Sequence, residues 1–88
     1  MAFQVYVLVN PDGETYVGQT SDLPRRLQQH NDPACDLTLH TQRHTGPWRL
    51  LYSEQCKSRR TAMRRERQLK SGGGRRFILK LLREEGGC

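Results

Sequence analysis

Val5-Tyr6-Val7-Leu8-Val9, Asn10-Pro11-Asp12-Gly13 and Glu14-Thr15-Tyr16-Val17-Gly18 read as strand, turn and strand. Pro11 fixes φ for a turn, Asn10 and Asp12 favour turn positions, and Gly13 accepts φ > 0. That order predicts a type I turn closed by a glycine bulge. Asn10 then faces Glu14, Tyr6 faces Gly18 and Leu8 faces Tyr16. Both tyrosines and the glycine fall on one face of the hairpin. A slip of one residue would separate the two phenols.

Upstream, residues 3–9 alternate, with Phe3, Val5, Val7 and Val9 on one face and Gln4, Tyr6 and Leu8 on the other. The first face reads as core, giving a half-buried strand. Downstream, Ser21-Asp22 offers an N-cap and Pro24 suits a first helical turn. A helix is expected from about Leu23 to His30, with Leu23, Arg26, Leu27 and His30 on one stripe. Arg25 points elsewhere. Residues 31–47 read as a long loop with a helical turn near Leu37-Thr38-Leu39, carrying His40, Arg43 and His44, which suit phosphate.

Trp48-Arg49-Leu50-Leu51-Tyr52 is a third strand, begun by Gly46-Pro47. Ser58 caps a helix from Arg59 to Lys70. Ala62, Met63 and Leu69 form its apolar face, and Glu66 lies on the same face at i+4 from Ala62 and i+3 from Met63. A carboxylate so placed needs a partner, either a basic group such as Arg26 or a metal. Ser71-Gly72-Gly73-Gly74 reads as a C-terminal cap and a flexible joint. A final helix, Arg75 to about Glu85, turns Phe77, Ile78, Leu81 and Leu82 inward, and Glu-Glu-Gly-Gly-Cys is a frayed tail.

The chain has 88 residues, enough for one domain spanning 1–88, with 34% hydrophobic and 27% charged residues. Net charge is +6, with arginines clustered at 25–26, 59–60, 64–67 and 75–76. Such a basic domain favours a polyanion, nucleic acid first, although solubility alone would use the same charge. The three cysteines, Cys35, Cys56 and Cys88, are odd in number, and Met-Ala-Phe-Gln leads straight into a strand. Reduced thiols in a cytoplasmic protein are the simplest account. No apolar run approaches membrane-spanning length.

These residues form a set that resembles the GIY-YIG nuclease domain. Gln4-Val5-Tyr6 stands for Gly-Ile-Tyr, and Tyr16-Val17-Gly18 for Tyr-Ile-Gly. Arg26 lies eight residues after Gly18, the spacing of the family's catalytic arginine, and His30 follows four later. Glu66 on the next helix is similar to the family's metal-binding glutamate. The Gly-Pro-Trp before the third strand and the Arg-Arg-Glu-Arg-Gln-Leu-Lys helix are similar to the Slx-type endonuclease branch. The resemblance implies an α+β fold, a three-stranded antiparallel sheet flanked by helices. It also implies metal-dependent hydrolysis of a DNA phosphodiester, with structured or damaged DNA and a DNA-repair setting left open as its context. Gln4 replaces glycine, Gln19 stands where some members have lysine, and the last helix has no asparagine.

The residue chemistry agrees with that reading. Magnesium, or manganese, suits one carboxylate, Glu66, plus waters and phosphate oxygens. Arg26 offers a fork of donors to the scissile phosphate. A tyrosine is a poor base at its usual pKa of ~10, but a metal and an arginine favour its phenolate. Tyr16 is the expected base, with Tyr6 positioning the water or taking that role. His30 is expected to pair with phosphate or shuttle a proton. Gly18 leaves room for the DNA backbone. Arg25, Arg59, Arg65 and Lys70 join His40, Arg43 and His44 as candidate nucleic-acid contacts. RNA remains open as a substrate, and a domain this small would use a protein partner for targeting. Two other classes stay open: a basic nucleic-acid-binding module that does not cleave, and a zinc knuckle from Cys35, His40, His44 and Cys56. The knuckle lacks the close cysteine pair of a structural site.

Overall fold

The computed structural model describes residues 2–32 and 47–86. The expected hairpin is there: β1 (Phe3–Val9) pairs antiparallel with β2 (Thr15–Thr20). The register sets Tyr6 opposite Gly18 and Leu8 opposite Tyr16, as the turn residues require. Asn10 Oδ1 accepts from the amides of Asp12 at 3.1 Å and Glu14 at 2.7 Å, and Gly13 takes φ +82°. Side-chain acceptance at the first turn position and a left-handed glycine at the last lock the bulge.

The remaining elements are α1 (Leu23–Asn31), β3 (Arg49–Cys56), α2 (Arg59–Lys70) and α3 (Gly72–Gly86). The three strands form one antiparallel sheet in the order β2-β1-β3. This is the α+β fold that the sequence implies. The sheet has a layer on each side. Val5, Val7, Val17, Cys56, Ala62, Leu69 and Ile78 pack the sheet against α2 and α3. Tyr6, Leu8, Leu23 and Trp48 pack its other face against α1, with Tyr16 and Leu27 beside them.

That second layer corrects the half-buried reading of β1. Tyr6 and Leu8 are as buried as Val5 and Val7, because the middle strand is covered on both faces. The third strand also runs past Tyr52 to Cys56, since Ser53, Glu54 and Gln55 pair with Tyr6, Val5 and Gln4. A register shift between Val7 and Leu8 leaves Leu51 as the extra residue of a bulge.

Two helix expectations change. Met63 is 45% exposed, so the buried stripe of α2 is narrower and rests on Ala62 and Leu69. The glycine run is not a joint: α3 begins at Gly72, and Arg75 N donates to Ser71 O at 2.9 Å. A Cβ on Gly74 would lie 2.3 Å from Leu69 Cα, so the glycine lets the two helices touch. Glu84 likewise belongs to α3 rather than to a frayed tail. No helix among the described residues is long and apolar enough to cross a membrane.

Candidate active site

The hairpin and α1 together build an aromatic nest. The α1 N-cap is Asp22, whose side chain accepts from Arg25 N, and Pro24 sits in the first turn. From that start the stripe Leu23, Arg26, Leu27, His30 turns toward the sheet, with Leu23 and His30 buried. Tyr6 and Tyr16 share the facing surface, with ring centroids 6.2 Å apart. His30 stands 5.7 Å from the Tyr6 ring and 4.7 Å from the Tyr16 ring, centroid to centroid. The Tyr6 hydroxyl hydrogen-bonds His30 Nε2 at 2.8 Å.

Tyr6 is fully buried, and burial pushes its phenol up to about 12. The Arg26 guanidinium beside it pulls the other way, while Tyr16 and Glu66 add to the rise. Tyr6 therefore feels Tyr16, Arg26 and Glu66 at once. Arg26 is half-buried; its Nη1 donates to Gln29 Oε1 at 3.2 Å and its buried Nε has no partner among the described residues. A half-buried guanidinium with spare donors is a ready receptor for an oxyanion.

Glu66 comes from α2, the helix of the opposite layer, which also packs against β2. Its side chain keeps 27% exposure and, among the described residues, pairs with Lys70 Nζ at 3.4 Å. It is thus accessible and loosely paired. No group of three or more His, Cys, Asp or Glu side chains gathers among the described residues. One accessible carboxylate fits a magnesium-type ion that keeps its waters and takes phosphate oxygens, and it does not fit zinc.

Some expected roles change. His30 is 2% exposed and hydrogen-bonded to Tyr6, so the structure places the imidazole among the tyrosines rather than at the surface. The space beside Gly18 is filled: a Cβ there would come 2.6 Å from the Tyr6 hydroxyl. The glycine admits the phenol, where the sequence reading left room for DNA. Arg65 donates through Nε to Glu54 and lies beside Tyr52, so its charge is committed within the protein. Arg25 and Arg59 are exposed, and Lys70 pairs with Glu66. His40, Arg43, His44, Cys35 and the turn near Leu37 lie outside the described residues. Cys56, the remaining member of the zinc reading, is buried in the core with a free thiol that burial pushes up.

The sequence reading missed one device near the site. Asn31 Nδ2 donates to Trp48 O at 2.9 Å, and Trp48 N donates to Asn31 Oδ1 at 2.6 Å. This two-way bridge ties the end of α1 to the start of β3, next to His30. An asparagine at a helix end is an ordinary cap signal, and nothing local marks a partner 17 residues away. It also missed Arg75, which lines a ≈ 490 Å³ depression with Tyr16, Val17, Leu69 and Lys70.

The model of the GIY-YIG catalytic domain matches residues 2–76. The chain belongs to the GIY-YIG family. Its relatives include UPF0213 proteins from several sources. One from Halobacterium salinarum is 41% identical over 66 residues, 75% of this chain and 82% of that protein. One from Orgyia pseudotsugata multicapsid polyhedrosis virus is 35% identical over 82 residues, 92% of this chain and 76% of the viral protein. One from Desulfotalea psychrophila is 35% identical over 69 residues, and the match spans 61% of that relative's length. A solution NMR structure of a UPF0213 protein from Bacillus halodurans superposes with TM-score 0.53 at 32% identity, covering 92% of this chain and 85% of that one. The narrower likeness to Slx-type endonucleases has no counterpart among these relatives. Within the GIY-YIG frame, Tyr6, Tyr16, Gly18, Arg26, His30 and Glu66 are the residues that carried the resemblance.

Proposed function

We propose that this GIY-YIG protein is an endonuclease that hydrolyses DNA phosphodiester bonds with a divalent cation, magnesium or manganese. Structured or damaged DNA in a cytoplasmic repair setting is the substrate context, and a protein partner would supply targeting. The observation that carries the reading is Arg26, a half-buried guanidinium with an unpartnered Nε, set beside a Tyr6 phenol that also feels Tyr16 and Glu66.

The division of labour follows from exposure. Arg26 binds the non-bridging phosphate oxygens and opposes the negative charge that grows as the phosphorus becomes five-coordinate. Tyr16 keeps some solvent access, whereas Tyr6 has none. Tyr16, as the phenolate that a bound cation and Arg26 would favour, is therefore the tyrosine that takes a proton from the attacking water. Tyr6, held neutral by burial, hydrogen-bonds His30 and fixes the orientation of the rings around Tyr16. Glu66 would hold the cation, which when bound supplies positive charge against the phosphate.

The test is nicking of supercoiled plasmid and of branched duplexes with magnesium or manganese, using the parent chain, Glu66→Gln and Tyr16→Phe. The parent should cut, and both variants should bind DNA without cutting. Salt-dependent binding by all three proteins with no cleavage by any would assign the chain to non-cleaving nucleic-acid binders.

A further inference from the structure

The outer face of α2 has no part in the site just described. Arg59, Arg60, Met63, Arg64 and Arg67 line a shallow depression of ≈ 610 Å³ there. All four arginines are exposed, and none pairs with a carboxylate among the described residues. At helical spacing they cover roughly 140° of the helix surface and about 12 Å along its axis. Glu66 is the sole acid in α2; it lies close enough to act on Tyr6, and its partner Lys70 lines a depression with Tyr16.

We propose that this arginine face grips the phosphate backbone of a double-stranded nucleic acid, as a second contact outside the cleavage site. The inference rests on the nuclease reading for its substrate class but not on cleavage itself. Three features favour this occupant. Arg60 and Arg64 are i, i+4 neighbours, and Arg67 follows at i+3, so the helix carries adjacent like charges that repel one another. A polyanion turns that repulsion into attraction. Arginine forks match phosphate oxygens in geometry as well as charge. The lining holds no aromatic side chain, and single-strand sites rely on aromatic stacking. A rigid row of forks without stacking surface suits a regular backbone of fixed spacing.

The face also continues from the site. Moving around α2 from Glu66, the helical order runs through Lys70 and Met63 to Arg67, Arg60 and Arg64. A duplex with one phosphate at Arg26 and Glu66 would pass onto this row. The row then adds affinity without touching the scissile bond.

The test is fluorescence anisotropy of the full chain on a labelled duplex, with chelator present, across a salt series. Arg60→Gln/Arg64→Gln should weaken duplex binding about tenfold at low salt. It should also flatten the log–log salt slope by about 1.8, for two phosphate contacts at ~0.9 each. Arg76→Gln/Arg83→Gln removes the same charge from exposed positions of α3 and should keep the parent slope. Equal losses in the two double variants, or a parent-like slope in the first, overturn the proposal. Equal losses on a single strand of the same length overturn the duplex assignment. A parent that binds no nucleic acid removes both this inference and the nuclease reading. A parent that binds through this face yet never cuts removes cleavage alone.

Discussion

The Tyr6 hydroxyl and His30 Nε2 lie 2.8 Å apart in a buried contact that joins the middle strand to the first helix. The two residues are 24 positions apart in sequence. The bond fixes where α1 docks, and so where Arg26 points. Tyr6→Phe keeps the ring and removes the hydroxyl, leaving a buried imidazole nitrogen without that partner. A loss of about 1–3 kcal/mol is expected in urea unfolding at neutral pH.

Tyr6 also sets an alkaline limit. Its phenol is raised from 10.0 to about 12, so the fold favours the neutral form. The associated stability is fully present below the unfolded value and is lost as pH rises through the folded one. About 2–3 kcal/mol should disappear between pH ~10 and ~12, and the Tyr6→Phe protein should lack that component. Unfolding free energies at a series of alkaline pH values, parent against variant, measure it.

Gly18 and Tyr6 form a coupled pair. A methyl group at Gly18 would meet the Tyr6 hydroxyl at 2.6 Å and Cζ at 2.8 Å. Gly18→Ala should cost about 1–3 kcal/mol by overpacking. In the Gly18→Ala/Tyr6→Phe double variant part of that cost should vanish, because the nearest clashing atom has gone. A double-mutant cycle with a coupling energy near zero would contradict the contact.

Two neighbouring glycines at the start of α3 should respond in opposite directions. A methyl group added at Gly73 would meet nothing within 4 Å, whereas one at Gly74 would meet Leu69 backbone at 2.3 Å. Gly73→Ala should stabilise by about 0.5–1 kcal/mol through helix propensity. Gly74→Ala should destabilise by about 1–3 kcal/mol or more, since backbone cannot step aside as a side chain can. Thermal unfolding of the two single variants separates them.

Glu66→Gln should leave stability within about 0.5 kcal/mol of the parent, because its ion pair among the described residues is an exposed i, i+4 contact. Any metal-stimulated cleavage should nevertheless be lost. A large drop in unfolding midpoint would instead give Glu66 a structural task.

How much of this was legible depends on how local each cause is. The Tyr6–Gly18 register followed from Asn10, Pro11, Asp12 and Gly13, since a tight turn settles pairing within a few residues. The stripe of Leu23, Arg26, Leu27 and His30 followed from helical periodicity. The fate of Leu8 and Tyr6 did not, because a strand's second face is buried only if another element comes to cover it. Gly72–Gly74 read as a break, and the close approach to Leu69 that makes Gly74 useful is a tertiary contact. Met63 fits an apolar face by spacing, yet it lies 45% exposed among the arginines of the outer face. The partner of His30 was equally out of reach, since a lone histidine announces no direction.

The bridge between Asn31 and Trp48 gives the fold a seam. Two hydrogen bonds hold the end of α1 against the residue just before β3. A change at Asn31 would therefore act on the angle at which α1 carries Arg26, while the hairpin and its tyrosines stay as they are.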